Sequence, residues 1–361
     1  MKNKICVYAI AKNEIKFVDR WYNSVKEADY ICVLDTGSTD GTFERLKELN
    51  VITEQKTYQQ FRFDTARNDS LKLIPKDANI CVCVDLDEIF VPGWAEILRK
   101  NWKPDTMRAK YRYTWNFNKD GSEGIVFMLD KIHAAKQFKW VNPVHEILVP
   151  LKDSPYNTIT LPNVQLNHRA DETKSRSNYL PLLELAVKEN PENDRNMHYL
   201  GREYMFYKQY NKAISTLKQH LKLKSATWTD ERCASLRFIA NCYKHKNDIL
   251  NQEKYLLLAI LENNTLREPY FDTALMYYEN KDYLKAALFF EEMLKITVRN
   301  LNYISQPHCW DATPYDYLAI CYYELGDIEK AILNTKIALK FSNEQRLKDN
   351  LHILTSKLRV E

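Results

Sequence analysis

No stretch of the 361-residue chain approaches the ~20 consecutive apolar residues of a membrane-spanning helix, so the sequence offers no spanning segment. The start, Met1-Lys2-Asn3-Lys4 ahead of seven apolar residues, imitates a short signal peptide, but the run sits at the lower length limit and reads as a β-strand. A charge excess is lacking too: 52 basic against 48 acidic residues leave a formal +4. That balance is too slight and too evenly spread to argue for a nucleic-acid partner. The eight cysteines lack the paired spacing of a zinc site. Cys81 and Cys83 alternate within one apolar run, and Cys6 and Cys32 sit in two others, so they read as small core residues in a reducing compartment, the cytoplasm. Apolar material itself is plentiful at 45%, enough for two cores in a chain longer than one usual domain.

Three of the apolar runs end in polar motifs. Residues 5–11 lead into Lys12-Asn13-Glu14 and a helix with Phe17, Trp21, Val25 and Ala28 near one face. Residues 30–34 lead into Asp35-Thr36-Gly37-Ser38-Thr39-Asp40-Gly41-Thr42, a turn that opens a helix through Phe43, Leu46 and Leu49. Residues 79–84 lead into Asp85-Leu86-Asp87-Glu88. Strand and helix alternate as in an α/β domain with a largely parallel sheet, whose ligands bind beyond the carboxyl ends of the strands. The three motifs are therefore expected in one crevice. If the last run continues as a strand, Asp85 and Asp87 point to the same side and are spaced to share a hard divalent cation.

The motifs Ala11-Lys12-Asn13-Glu14, Asp35 to Thr42, Phe63-Asp64-Thr65-Ala66-Arg67-Asn68 and Val84 to Glu88 occur in the order and at spacings that resemble family 2 glycosyltransferases with the GT-A fold. The resemblance covers residues 1–170 and implies a Rossmann-like α/β domain that binds nucleotide-diphosphate sugars. It implies that Ala11 and Glu14 line the nucleotide pocket, that Asp35 recognises the base, and that Arg67 and Asn68 border the pocket. The competing reading of Arg67 and Asn68 is a solvated helix face. Asp85 and Asp87 would hold the ribose and a metal, Mn²⁺ or Mg²⁺, on the diphosphate.

Farther along, Lys139 to Glu146 and Gln165 to Arg169 resemble the late part of the same domain, in a branch whose sugar-site motif reads Val144-His145-Glu146. Either His145 or Glu146 is a candidate base for the acceptor, since each can be tuned toward neutral pH by its surroundings. Adjacent residues of an extended segment face opposite ways, so only one of the two would face the sugar, and Glu146 is preferred. By the same resemblance His168 is a candidate metal ligand with Asp87. For His145 and His168 the competing reading is a hydrogen-bonded core histidine.

From residue 191 the chain changes character. Lys208 to Ala213, Lys281 to Ala286 and Gly326 to Ala331 match one another, with Lys246 to Ile249 a weaker copy. The starts at 208 and 281 are 73 residues apart, about twice the ~34-residue tetratricopeptide period. The next interval, 281 to 326, is longer because residues 299–313 intervene. Residues 191–361 therefore read as an all-α tetratricopeptide-like solenoid, 171–190 as a helical linker, and Ala170 to Ser177 as a polar junction within the chain.

A transferase followed by repeats is similar in layout to peptide S-glycosyltransferases of the sublancin type. The resemblance implies an inverting, metal-dependent transfer from a nucleotide-diphosphate sugar, a UDP-sugar in the first instance, to a peptide or protein acceptor held partly by the repeats. A thiol acceptor, with a pKa of about 8.5, would need little help to become nucleophilic. Two other readings stand beside it: a glycan or lipid-linked acceptor, and a repeat scaffold with a degenerate transferase domain. A homodimer through the repeats is a further expectation.

Overall fold

The computed structural model describes residues 3–118, 120–169 and 179–358. The polar junction at 170–177 lies outside the described residues. The chain divides into two units, Met1–Asn190 and Pro191–Glu361.

The first unit runs β1 (Ile5–Ala11), α1 (Ile15–Val25), β2 (Tyr30–Asp35), α2 (Thr42–Glu48), β3 (Ile52–Gln55), α3 (Phe63–Ser70), β4 (Ile80–Cys83), β5 (Glu88–Phe90), α4 (Trp94–Asn101), β6 (Thr106–Thr114), β7 (Val126–Ala134), β8 (Phe138–Val141), β9 (Ile147–Pro150), β10 (Asn157–His168) and α5 (Tyr179–Glu189). Eight strands form one mixed sheet in the order β3-β2-β1-β4-β7-β6-β10-β5, while β8 and β9 pair separately. The strands β3, β2, β1 and β4 are mutually parallel, so their carboxyl ends share one edge. Register sets Ala11 beside Asp35 there.

The alternation of these strands explains their unbroken apolar sequence. Ile5, Val7, Ala9, Ile80 and Val82 face Phe17, Val18, Trp21 and Val25 of α1. The intervening Cys6, Tyr8, Cys81 and Cys83 pack against Phe138, Trp140 and Leu148 of the small sheet. A strand covered on both faces needs apolar residues at every position. All eight cysteines are buried and free, as small core residues.

A directed chain of hydrogen bonds crosses the second face. Trp140 Nε1–H donates to Tyr8 Oη at 3.0 Å, Tyr8 O–H meets His133 Nε2 at 2.8 Å, and His133 Nδ1 lies 3.0 Å from the Ala134 carbonyl. This direction needs a neutral imidazole, and burial pushes the His133 pKa down from 6.5 to about 4. The unfolded chain thus takes up this proton before the folded one does. Stability contributed by the neutral ring is complete above about pH 6.5 and is lost as pH falls toward 4, on the order of 3 kcal/mol. Urea midpoints of wild type and His133→Asn, followed from pH 7 to 4, are expected to converge as the pH drops. Parallel curves would remove His133 as the source.

The second unit comprises α6 (Asp194–Phe206), α7 (Tyr210–His220), α8 (Thr229–His245), α9 (Ile249–Glu262), α10 (Arg267–Glu279), α11 (Tyr283–Leu294), α12 (Thr313–Glu324), α13 (Ile328–Phe341) and α14 (Gln345–Leu358). The sequence repeats turn out to be the tight turns within four helix pairs. Lys208, Asn247, Lys281 and Gly326 each adopt positive φ. In each turn the next residue's N–H reaches back to a tyrosine carbonyl: Gln209 to Tyr204, Asp248 to Tyr243, Asp282 to Tyr277 and Asp327 to Tyr322. This is the left-handed helix stop, which satisfies carbonyls that a helix end leaves open. Asp248, Asp282 and Asp327 then cap the following helix by accepting from Asn251, Lys285 and Lys330 N–H. The weak copy at 246–249 is therefore a complete structural repeat. Gly201 lets α6 meet α7, since a Cβ there would lie 2.5 Å from Leu217 Cγ.

Candidate functional site

The loops after β1 and β2 are laced together. Asn13, at φ 54°, donates its N–H to Ser38 Oγ and accepts from Thr39 N–H through Oδ1, and Glu14 N–H donates to Thr42 Oγ1. Thr36 N–H and its hydroxyl both donate to the Ala11 carbonyl. Gly37 is required by its φ of 104°, and a Cβ would also lie 2.9 Å from Thr57 Cγ2.

Asp35 is wholly buried at this edge. Its Oδ1 accepts from Gly37 N–H, Ser38 N–H and the Gln55 amide at 2.8 to 2.9 Å. Its Oδ2, equally buried, has no hydrogen-bond partner among the described residues. A buried carboxylate oxygen is costly without a donor, so this atom suits a ligand N–H.

The centre of the site is Arg67. The side chain is 4% exposed, which corrects the reading of a solvated helix face. Nε donates to Glu146 Oε1 at 2.5 Å, and Nη1 and Nη2 approach Asp85 Oδ1 and Oδ2 at 2.9 and 3.0 Å. Its guanidinium also lies over Trp140, 5.1 Å from the ring centroid. Lys131 of β7 adds a second cation, 3.2 Å from Asp85 Oδ2 and 3.9 Å from Glu88 Oε1. Burial opposes the charge on Asp85, yet Arg67 and Lys131 together hold its pKa far below the usual carboxylate range. Glu88 moves the other way: burial raises its pKa, while Oε2 accepts from Asp85 N–H and Oε1 from the Tyr113 hydroxyl.

The expected alternation of Asp85 and Asp87 does not occur. The strand stops at Cys83, and residues 85–88 form a turn closed by Glu88 N–H on the Asp85 carbonyl at 2.9 Å. The two carboxylates consequently part company: Asp85 faces Arg67 and Lys131, whereas Asp87 faces His168, with Oδ2 3.3 Å from Nε2. His168 Nδ1 lies 2.9 Å from the Trp115 carbonyl. A backbone carbonyl can only accept, so Nδ1 carries the hydrogen and the neutral ring turns its Nε2 lone pair toward Asp87. A proton or a metal ion between them relieves this contact: burial opposes charge on His168, yet Asp87 raises its pKa, and the donor set of imidazole and carboxylate also fits Mn²⁺ or a like metal.

The segment 142–146 is not extended either. Asn142 and His145 have φ of 80° and 50°, so the inference that His145 and Glu146 point to opposite faces of a strand fails with its premise. His145 packs on Tyr179 of α5, with centroids 5.7 Å apart, and the loop is tied to α3 by Phe63 N–H on the Pro143 carbonyl. Asn68 grips β8, its amide donating to the Trp140 carbonyl and accepting from Trp140 N–H. Both ends of that side chain are thereby committed to backbone.

Sequence reasoning overlooked Lys131 and Gln55 as members of the site and placed Glu88 in the crevice without a role. Lys131 left a signal: with Asp130 it interrupts the otherwise apolar core of β7.

Residues 6–126 match the family described as Glycosyl transferase family 2. The first unit thus carries a GT-A-like glycosyltransferase domain, and the protein is a glycosyltransferase followed by a tetratricopeptide-like helical region. Among solved structures, MamA is similar at 20% identity and a TM-score of 0.37, over 45% of this chain and 85% of that one. A thermophilic TPR protein of Thermus thermophilus matches at 16% identity and a TM-score of 0.34, over 49% of this chain and 88% of its own. YrrB, a TPR protein with an unusual peptide-binding site, matches at 16% identity and a TM-score of 0.36, over 48% and 80%. No curated protein matches the chain. Among the described residues no helix is long and apolar enough to cross a membrane.

Proposed function

We propose that the first unit transfers a sugar, with inversion, from a UDP-sugar to a peptide or protein acceptor that the helical unit recruits. The observation carrying this reading is Asp35 Oδ2, a buried acceptor lacking a donor at the carboxyl edge of the parallel strands. A pyrimidine ring N–H, as uracil has, meets that need. Ala11 and Glu14 frame the same edge, Asp85 takes the ribose, and Arg67 with Lys131 keeps Asp85 ionised. Asp87 and His168 would hold Mn²⁺ or Mg²⁺, which when bound neutralises charge on the departing diphosphate. Glu146 receives the acceptor proton through the oxygen not committed to Arg67, and His145 braces the loop that carries it. The four repeats present a surface of the kind that accommodates a peptide segment.

Asp87→Ala is expected to abolish Mn²⁺-dependent binding of the donor while the circular dichroism spectrum stays unchanged, because this partly exposed carboxylate contributes little packing. Calorimetric titration of a panel of UDP-, GDP- and TDP-sugars, with and without Mn²⁺, measures it. Equal affinity in variant and wild type would sink the metal assignment, and a preference for GDP-sugars would overturn the uracil reading of Asp35.

A further inference from the structure

The second unit contains a cluster that sugar transfer leaves unused. His198 lies on α6, His220 ends α7, and Glu231 and Ser235 sit one turn apart on α8. His198, His220 and Ser235 are wholly buried and Glu231 is 3% exposed. Ser235 Oγ stands between the two imidazoles, 2.7 Å from His198 Nδ1 and 3.0 Å from His220 Nδ1. His198 Nε2 meets the Tyr303 hydroxyl at 3.0 Å. On the far side of His220, Nε2 lies 3.5 Å from Glu231 Oε1 and has no hydrogen-bond partner among the described residues.

This arrangement leaves His220 and Glu231 only loosely joined. A carboxylate removed from water and facing an imidazole nitrogen at 3.5 Å is held either by an Nε2–H, at the long limit of a hydrogen bond, or by a cation that reaches both. One ligand atom from each of His198, His220 and Glu231 can be chosen so that all lie within 4.8 Å of one another. Tetrahedral zinc, with bonds of about 2.0–2.1 Å, places its ligand atoms about 3.3 Å apart, so modest side-chain movement closes the set. Two imidazoles and one carboxylate form a donor set suited to zinc, and the Ser235 hydroxyl already adjoins both rings.

We propose that His198, His220 and Glu231 bind a zinc ion that pins α6 and α7 to α8, joining the first repeat to the second. The role is structural: three helices that otherwise meet through packing and the Ser235 hydroxyl acquire a common ligand point, and folding of this end of the solenoid becomes coupled to the metal. A hydrogen bond from His220 Nε2–H to Glu231 is the alternative that the test must separate.

The full-length chain carrying Asp87→Ala, which takes away the candidate metal ligand of the donor site, is stripped with a chelator and titrated with Zn²⁺ alone. The expected results are one zinc per chain and a melting temperature raised by about 5 °C or more when free Zn²⁺ is about 100 times Kd. Co²⁺ substituted at the site is expected to give the visible absorption of a four-coordinate nitrogen and oxygen complex. Glu231→Gln, nearly isosteric, and His220→Gln should each weaken zinc binding by about 100-fold or more. If His220→Gln fails to fold, Glu231→Gln and the Co²⁺ spectrum still decide. A stripped chain whose melting temperature ignores Zn²⁺, or zinc binding unaffected by Glu231→Gln, would overturn the site in favour of the hydrogen-bonded pair.

Discussion

Arg67→Ala is expected to lower the stability of the first unit by about 3 kcal/mol or more and to abolish donor binding. The guanidinium is buried and serves Asp85 and Glu146 at once, the first through two contacts and the second through one. Its removal leaves Glu146 without the partner it has at 2.5 Å, and leaves Asp85 with Lys131 alone. Losing one member of a buried ionic set costs more than the set contributes, because the remaining charges stay desolvated. Arg67→Lys should recover little, since a single ammonium cannot reproduce a planar fork that spans two carboxylates. Five of the seven tryptophans, Trp21, Trp94, Trp102, Trp115 and Trp140, belong to the first unit, so urea titration followed by tryptophan fluorescence reports chiefly on it. An unchanged midpoint would show that the cluster contributes nothing to the fold.

Glu146→Gln is expected to lower turnover by about 10²-fold with donor affinity nearly intact, the range for loss of a general base. The substitution is informative here because the glutamine carbonyl oxygen still accepts from Arg67 Nε–H, so the geometry of the loop and of Arg67 is retained while the proton acceptor is lost. The acceptor chemistry is readable from the same variant. With a thiol acceptor the defect should shrink as pH rises toward about 9, because the nucleophile ionises unaided. With a hydroxyl acceptor no such recovery is expected. Near-normal turnover at neutral pH would move the base to another residue and leave Glu146 as the partner that positions Arg67.

These two substitutions probe features of different legibility. Asp35, Asp85, Asp87 and Glu14 stand at strand exits that apolar runs and turn residues mark out in the sequence, and the structure gathers the exits of β1, β2 and β4 on one edge. The partners were not legible. Arg67 looked compatible with a solvated helix face, and nothing in its local pattern revealed Glu146, 79 positions away, as its partner. Lys131, 46 positions from Asp85, sat in a strand pattern that only its charge disturbed. Two local inferences failed for the same reason: the alternation of Asp85 with Asp87 and the opposed faces of His145 and Glu146 both required extended backbone, whereas residues 85–88 form a turn and His145 adopts positive φ.

The sequence by itself determined the apolar strands β1, β2 and β4 and the paired helices of the second unit. A doubly covered strand must be apolar throughout, and a left-handed helix stop followed by an aspartate cap recurs wherever the chain repeats Lys-Asp or Gly-Asp before a new helix. Those are near-neighbour effects, written within a few residues. Tertiary structure alone decided which charges meet. Asp85 went to Arg67 and Lys131 and Asp87 to His168, and the buried His198, His220 and Glu231 were drawn together from three helices. Charged and polar partners are chosen by distance in space after the strands and helices have packed, and strand or helix periodicity carries no record of that distance.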